Sequence, residues 1–434
     1  MTDYAKDKPI RVGVVGVGRG QSFAANAEGA GLKLVALCDT WEERLLAVGR
    51  RYDVATYAEY DRFLEHDMDA VILANYFHQH APFAIKALAA GKHVMSETSA
   101  NKTLAEGVAI CRAAERSGKI YMLAENYPYT AFNQELRRLY QADEIGRVLY
   151  AEGEYNHPMS PDDRLRISPG LTHWRSWLPP TYYCTHALAP LMYITETMPI
   201  SVIGLGISAP EQDERTVRVS DPGAVILCRM DNGAVFRIFG LTIPGHSIWY
   251  RVHGLRGSIE SERGPGYWGT GRVRIVHEEW DRRPGEPVER VYVPDWPAHA
   301  DPSASLRAGL ALKSGHGGGD FWTDYHFARA IRSGEPPFLD VYRGVAMSTV
   351  GILAWKSALS GGQPFAMPDF RAETSRQAHA DDNWSPFPED AGPALWQPVA
   401  DQPPPSLRGW VKPSEAAVAH ARAVWRQIGY IEKP

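Results

Sequence analysis

The stretch Arg11-Val12-Gly13-Val14-Val15-Gly16-Val17-Gly18-Arg19-Gly20-Gln21 decides the fold. A short apolar run leads into a glycine turn, and a helical segment follows. The next apolar run, Leu32 to Cys38, closes on Asp39. Glycines in such a turn let the backbone approach a pyrophosphate, and free N–H groups at the helix start favour an anion. An acid at the end of the second strand accepts hydrogen bonds from ribose hydroxyls and repels a 2′-phosphate. The pattern therefore predicts NAD rather than NADP. Gly16 and Gly18 fill the first two motif positions. The third falls on Gln21, with Gly20 one residue early, and Arg19 lies inside the turn.

Outward from this turn, strands and helices alternate as far as Ala124. Strands are expected at Ile10–Val15, Lys33–Cys38, Asp69–Ala74, His93–Ser96 and Ile120–Ala124. Helices are expected at Gln21–Ala30, Trp41–Arg51, Pro82–Ala90 and Leu104–Ser117. Such alternation implies a doubly wound parallel sheet, an α/β architecture. The texture then changes. After a helical Phe132–Tyr140 come strand-like runs at Val148–Asn156, Val202–Ser208, Ala224–Met230, Ala234–Phe239, Ile248–His253 and Val273–Glu278. Asp231-Asn232-Gly233 between two of them is a hairpin turn. This half is expected to be an α+β unit with a mainly antiparallel, open-faced sheet and helices at Phe321–Ser333 and Val341–Ser360. The expected division is a Rossmann domain over 1–127, a substrate and oligomerisation domain over 128–366, and a proline- and acid-rich wrapping tail over 367–434. The tail ends in a helix near Pro413–Ile428.

The bulk properties exclude several classes. The chain has 434 residues, 44% hydrophobic and 22% charged, with a net charge of -5. That balance gives no case for nucleic acid or anionic membranes as partners. No apolar run is long enough to span a membrane and the start lacks a signal core, so a cytoplasmic location is expected. Cys38, Cys111, Cys184 and Cys228 are scattered and read as reduced thiols. The histidines show no metal-ligand spacing, so no metal is expected.

Further marks give a resemblance. They are the glycine turn, Asn75-Tyr76-Phe77-His78, Gly91-Lys92-His93-Val94, Glu97 and Glu125-Asn126. With them the first half resembles the Gfo/Idh/MocA family of NAD(P)-dependent sugar oxidoreductases. That family usually has Glu-Lys-Pro where this chain has Glu97-Thr98-Ser99, and an aspartate where it has Tyr182, four residues before His186. Both departures point to a narrower likeness. Trp174-Arg175, Tyr183-Cys184-Thr185-His186 and Gly315-His316-Gly317-Gly318-Gly319-Asp320 resemble the NAD-dependent glycoside hydrolase family 109 group and its relatives, over roughly Arg11 to Phe370.

The resemblance implies a glycosidase without the usual carboxylate pair. Sugar C3 is oxidised transiently, the C2 proton is removed, the aglycone is eliminated, water adds, and the ketone is reduced again. NAD is recycled in place. His186 is then the candidate for proton transfer at the C3 hydroxyl, and Tyr183 lies beside nicotinamide and sugar as a second acid or base. Tyr155 and His157 share one face of a strand. Thr185 and Arg175 complete the expected substrate contacts, Arg175 offering its planar fork to sugar oxygens or to an anion. Asn75, His78, Glu97, Thr98 and Asn126 fall at strand ends, where a Rossmann cofactor binds. For His316 and Asp320 a capping role and a site role both stand. Arg164, in the charged loop Asp162–Arg166, would suit an anionic sugar such as a sulfoquinovoside. Two other functions remain in view: a sugar or cyclitol dehydrogenase, and a non-catalytic NAD or sugar sensor. An uncovered sheet face predicts a homodimer or homotetramer.

Overall fold

The computed structural model describes residues 8–171, 173–176, 178–207, 215–218, 220–245, 247–295, 309–386 and 413–431. Its first half is a six-stranded parallel sheet in the order β3-β2-β1-β4-β5-β6. The strands are β1 (Ile10–Val15), β2 (Leu32–Cys38), β3 (Ala55–Tyr57), β4 (Ala70–Leu73), β5 (His93–Ser96) and β6 (Tyr121–Leu123). The intervening helices are α1 (Gly20–Asn26), α2 (Glu42–Tyr52), α3 (Tyr60–Leu64), α4 (His80–Ala89) and α5 (Leu104–Ser117). Central strands β1 and β4 are apolar and almost wholly buried, as a sheet covered on both faces requires. Every parallel strand therefore ends on the same side, and Gly16, Asp39, Asn75, Glu97 and Glu125 follow five of those ends.

A second sheet of nine strands has the order β14-β13-β12-β11-β7-β10-β9-β8-β15. Its strands are β7 (Val148–Asn156), β8 (Pro199–Ile207), β9 (Gly223–Met230), β10 (Val235–Leu241), β11 (Ser247–Gly254), β12 (Gly257–Ser261), β13 (Val273–His277), β14 (Glu289–Tyr292) and β15 (Phe365–Ala366). All neighbours are antiparallel except β7 and β10, which run parallel. One face packs on α6 (Ala131–Gln141), α8 (Thr185–Thr195) and α10 (Val341–Leu359). On the other, Leu205 and Leu227 remain exposed beside Arg237, Glu152 and Glu154. The remaining helices are α7 (Pro161–Ile167), α9 (Gly319–Ser333), α11 (Glu373–His379) and α12 (Glu415–Gln427). One apolar core runs from β1 through both sheets, and a small satellite joins α7 to α12. No described helix is long and apolar enough to cross a membrane.

The structure corrects several sequence readings. The charged loop Asp162–Arg166 is instead the body of α7. Ser160 caps it, accepting from the Asp163 N–H at 3.1 Å, and Pro161 occupies its first turn. Helix α8 is absent from the sequence expectation because it is apolar all round and contains Pro190, so it shows no amphipathic stripe. Strands β3, β12 and β14 and helix α3 are short, and periodicity needs longer windows. In the wrapping tail, residues 387–412 lie outside the described residues, as does Ser208 of the expected strand Val202–Ser208. The closing helix is present as α12.

Candidate functional site

The glycine turn joins β1 to α1. Gly16 has φ +92, and a Cβ there would lie 2.4 Å from the Ala74 carbonyl oxygen, so only glycine fits. Gly18 faces open space, which is what a closely approaching ligand requires. At Gly20 a Cβ would lie 2.5 Å from Val14 Cγ1. Gly20 thus performs the close helix–strand packing of the third motif glycine, one residue early. Gln21 is inside α1, and its amide donates to the Val17 carbonyl at 2.7 Å. Asp39 stands at the end of β2 and takes the N–H of Val17 at 2.7 Å and of Trp41 at 2.8 Å. Each oxygen keeps a lone pair for a ribose hydroxyl. The buried Asn75 carboxamide, beside the turn, has no partner among the described residues, nor has Asn126 Oδ1. Orphaned polar groups around an open glycine turn fit a dinucleotide.

Arg19 points away from the turn. Its guanidinium lies over Phe23 and pairs with Glu97 at 2.6 Å and Asp320 at 2.6 Å. Asp320, fully buried at the start of α9, also accepts from Asn126 at 2.8 Å and pairs with His316 at 2.9 Å. Burial alone would raise its carboxyl, but the hydrogen bonds and charges of His316 and Arg19 carry it well below the usual range. Glu97 also accepts from the Thr98 N–H at 3.2 Å. Thr98 itself is buried. His78 follows β4 in a short 3₁₀ turn, its ring 6.0 Å from that of Tyr76. His80 starts α4 and bridges the carbonyls of Ser99 and Asn75 at 2.9 and 3.2 Å, a structural role.

Opposite the strand ends stands His186, in the first turn of α8. Its Nδ1 meets Glu125 Oε1 at 2.6 Å, and both side chains are buried. A carboxylate only accepts, so Nδ1 carries the hydrogen and Nε2 keeps a basic lone pair. Tyr250 fixes the start of α8 by donating its hydroxyl to the His186 carbonyl at 2.6 Å. Three tyrosines wall the imidazole: Tyr127, Tyr155 and Tyr183 have ring centres 4.6, 4.5 and 4.9 Å away. Tyr127 stacks on Trp268 at 5.5 Å and shares a 3.1 Å hydroxyl contact with Tyr267. Burial raises the Tyr127 and Tyr155 phenols well above their ordinary value and the Tyr267 phenol to about 12. These hydroxyls stay protonated and serve as donors. Thr185 opens α8 with a buried hydroxyl that has no partner among the described residues. His157 follows β7, 5.0 Å from the Tyr267 ring. Arg175 lies over Trp174 at 4.2 Å and 5.9 Å from the Tyr183 ring.

Ring contacts thus gather His186, Tyr183, Tyr155, His157 and Arg175 into one cluster beside Glu125, just past the end of β6, and Thr185 precedes His186 in α8. Sequence reasoning missed Glu125 as the partner of His186, although its place after a predicted strand was a signal. It also missed Tyr127, Tyr267 and Trp268, for which spacing gave none.

Residues 10–125 match the NAD-binding Rossmann-fold oxidoreductase family Gfo/Idh/MocA, and residues 292–376 match the glycosyl hydrolase 109 C-terminal domain. The chain joins a Gfo/Idh/MocA NAD-binding domain to a glycosyl hydrolase 109 C-terminal domain. It is 25% identical over 399 residues to a glycosyl hydrolase family 109 protein of Solibacter usitatus, covering 83% of this chain and 88% of that one. A relative of the same description from Shewanella pealeana is 25% identical over 410 residues, covering 83% and 85%. Among solved structures, a levoglucosan dehydrogenase in complex with NADH superposes with a TM-score of 0.70. It is 21% identical, covering 83% of this chain and all, 100%, of that one. That likeness is one of fold. The glycosyl hydrolase 109 match includes His316 and Asp320, so this C-terminal domain meets the glycine turn through Arg19.

Proposed function

We propose that this NAD-dependent, sugar-related enzyme is a glycosidase that acts by transient oxidation at C3 and elimination across C1 and C2. The observation that carries the reading is the His186–Glu125 dyad, ringed by tyrosines at the strand ends, with Thr98 in place of the lysine of dehydrogenase relatives. The glycosyl hydrolase 109 domain supports it.

The residues assigned to the cofactor are Gly16, Gly18, Asp39, Asn75, His78, Thr98 and Asn126. Arg19 and Glu97 hold the turn against α9. Bound NAD supplies a reversible two-electron oxidation of a sugar carbon. His186 Nε2 receives the proton of the C3 hydroxyl, and Glu125 stabilises the imidazolium that forms. The C3 ketone makes the C2 proton acidic. Transfer of that proton to a base at this face expels the C1 aglycone, and the base then passes the proton to the departing oxygen. Water then adds at C1, C2 regains a proton, and His186 returns its proton to oxygen as the ketone is reduced. Tyr183 is the second proton-transfer group at this face. Tyr127, Tyr155 and Tyr267 donate hydrogen bonds that orient the ring. Pairing of two copies through the open face of the second sheet, where Leu205 and Leu227 are exposed, belongs to the same proposal, and light scattering tests it.

The decisive experiment incubates the protein with a panel of glycosides in deuterated water without added NAD. Release of a sugar carrying deuterium at C2, with no net NADH, is the expected result. Reduction of added NAD without bond cleavage would make the protein a dehydrogenase and overturn the reading.

A further inference from the structure

Near the tyrosine-walled His186 stand three guanidinium groups that make no ion pair with a carboxylate among the described residues, although the buried Asp221 lies near one of them. Arg164 belongs to α7. Both acids of its own helix are engaged elsewhere: Asp162 with His420 at 2.8 Å, Asp163 with Arg166 at 2.8 Å and Ser160 at 2.6 Å. Arg164 itself has no side-chain partner among the described residues. Arg175 rests on Trp174 and faces Tyr183, again without a carboxylate among the described residues. Arg218 is held by neutral oxygens: Ser220 Oγ at 2.9 Å, Thr242 Oγ1 and the Asp221 carbonyl. All three arginines are half-buried.

Two observations place this cluster at the sugar site. The His157 N–H donates to the Leu241 carbonyl at 2.7 Å, and Thr242, next in the chain, holds Arg218. Leu165 and Val217, each next to one of these arginines, are buried together against α12. The charges feel one another. Burial and then Arg175 lower Arg164, while burial and then Arg164 push Arg218 down to about 9, against the pull of the buried Asp221. Burial foremost, with Arg175 and His78, holds His173 down to about 3. Burial also lowers His157, helped by the charges of His186, His316 and Arg164. Among the described residues near the site, Glu125 is engaged by His186, and both Glu97 and Asp320 by Arg19.

We propose that Arg164, Arg175 and Arg218 form an anion subsite, and that the natural substrate is a glycoside bearing a carboxylate or sulfonate. Rigid guanidinium forks crowded without counter-charges are costly until a planar or tetrahedral oxyanion bridges them. Asp221 offsets part of one charge, and a singly charged substituent would neutralise part of the remainder. The proposal deepens the glycosidase reading and rests on it for the identity of the sugar site.

The test separates binding from cleavage. Calorimetric titration of the NAD-loaded full chain compares glucose with glucuronate and with its 6-sulfonated analogue, free sugars that need no hydrolysis. At least one acid is expected to bind about 10- to 100-fold tighter than glucose, in line with charge-assisted hydrogen bonds. That ratio should fall in added salt and collapse in Arg164→Gln and in Arg218→Gln, with Arg164→Lys restoring part of it. The better acid identifies the anion. If neither acid outbinds glucose, or the ratio survives in both glutamine variants, the subsite is overturned. An acid preference that persists while no glycoside is cleaved would overturn the hydrolysis and leave the subsite standing.

Discussion

At the scale of the residue, the site turns on one proton. Glu125 fixes the hydrogen of His186 on Nδ1, so Glu125→Gln removes the charge that stabilises the imidazolium and lets the ring adopt the other tautomer. We expect kcat to fall about 10²–10⁴-fold, with NADH binding, followed by fluorescence, unchanged. An equal loss of cofactor binding would mean that Glu125 acts on the fold instead. A second residue-scale test is Gly20→Ala. The new Cβ would lie 2.5 Å from Val14 Cγ1, so α1 must shift. Overpacking of this kind costs about 1–3 kcal/mol. The expected result is a lower Tm together with faster NAD release, because the same glycine sets the height of the turn. His186 was legible in the sequence through its Tyr-x-Thr-His run. Its partner was legible only as an acid after a predicted strand, because Glu125 lies 61 positions away and no spacing ties it to His186.

At the scale of the element, α7 and α12 form a unit apart from the main core. Trp425 is almost wholly buried, and its Nε1 donates to the Leu165 carbonyl at 3.0 Å. Trp425→Ala is expected to cost about 3–5 kcal/mol of local packing, enough to undock a helix of this size. Hydrogen exchange should then rise over 161–167 and 415–427, leaving the Rossmann strands protected. Uniform acceleration over the chain would show instead that α12 supports the whole core. The legibility of elements follows the same physics. Leu104–Ser117 was readable to the residue because its apolar stripe, its Thr103 cap and its closing Gly118 agree. Helix α7 carried an equally plain signal, Ser160-Pro161, which its dense charges obscured. Helix α8 carried none, since a helix buried on every side has no period to read.

At the scale of the molecule, the two sheets share a core, and Arg19 reaches across 301 positions to Asp320. The parallel sheet was readable from strand–helix alternation, whereas no sequence period foretells contacts between halves so far apart. Close packing of this kind buries histidines, and that fixes how the whole molecule answers acid. Burial holds His173 and His326 in the native protein to about 3, against the ordinary value of about 6.5 for an exposed imidazole, and lowers the buried His80 as well. Between those values the unfolded chain binds protons that the native protein refuses. Stability is therefore fully present above about 6.5 and is lost as pH falls, by up to about 1.4 kcal/mol per pH unit for each such histidine. Carboxylates such as Asp320, lowered in the native state, add their own loss only below their unfolded value near 3.9. Burial raises the Asp324 and Asp340 carboxyls instead, and their uptake of protons opposes this loss; the urea midpoint should decline between pH 7 and 5 as far as the histidines outweigh them. A flat midpoint would mean that the buried carboxyls balance the histidines or that these rings take up protons without unfolding. His326 gives the sharper form of the test, since its ring stacks on Tyr129 at 4.5 Å and its Nε2 is buried without a partner among the described residues. In His326→Leu that imidazole is gone from both the native and the unfolded state, so the decline between pH 7 and 5 should become shallower, whatever the substitution does to stability at pH 7.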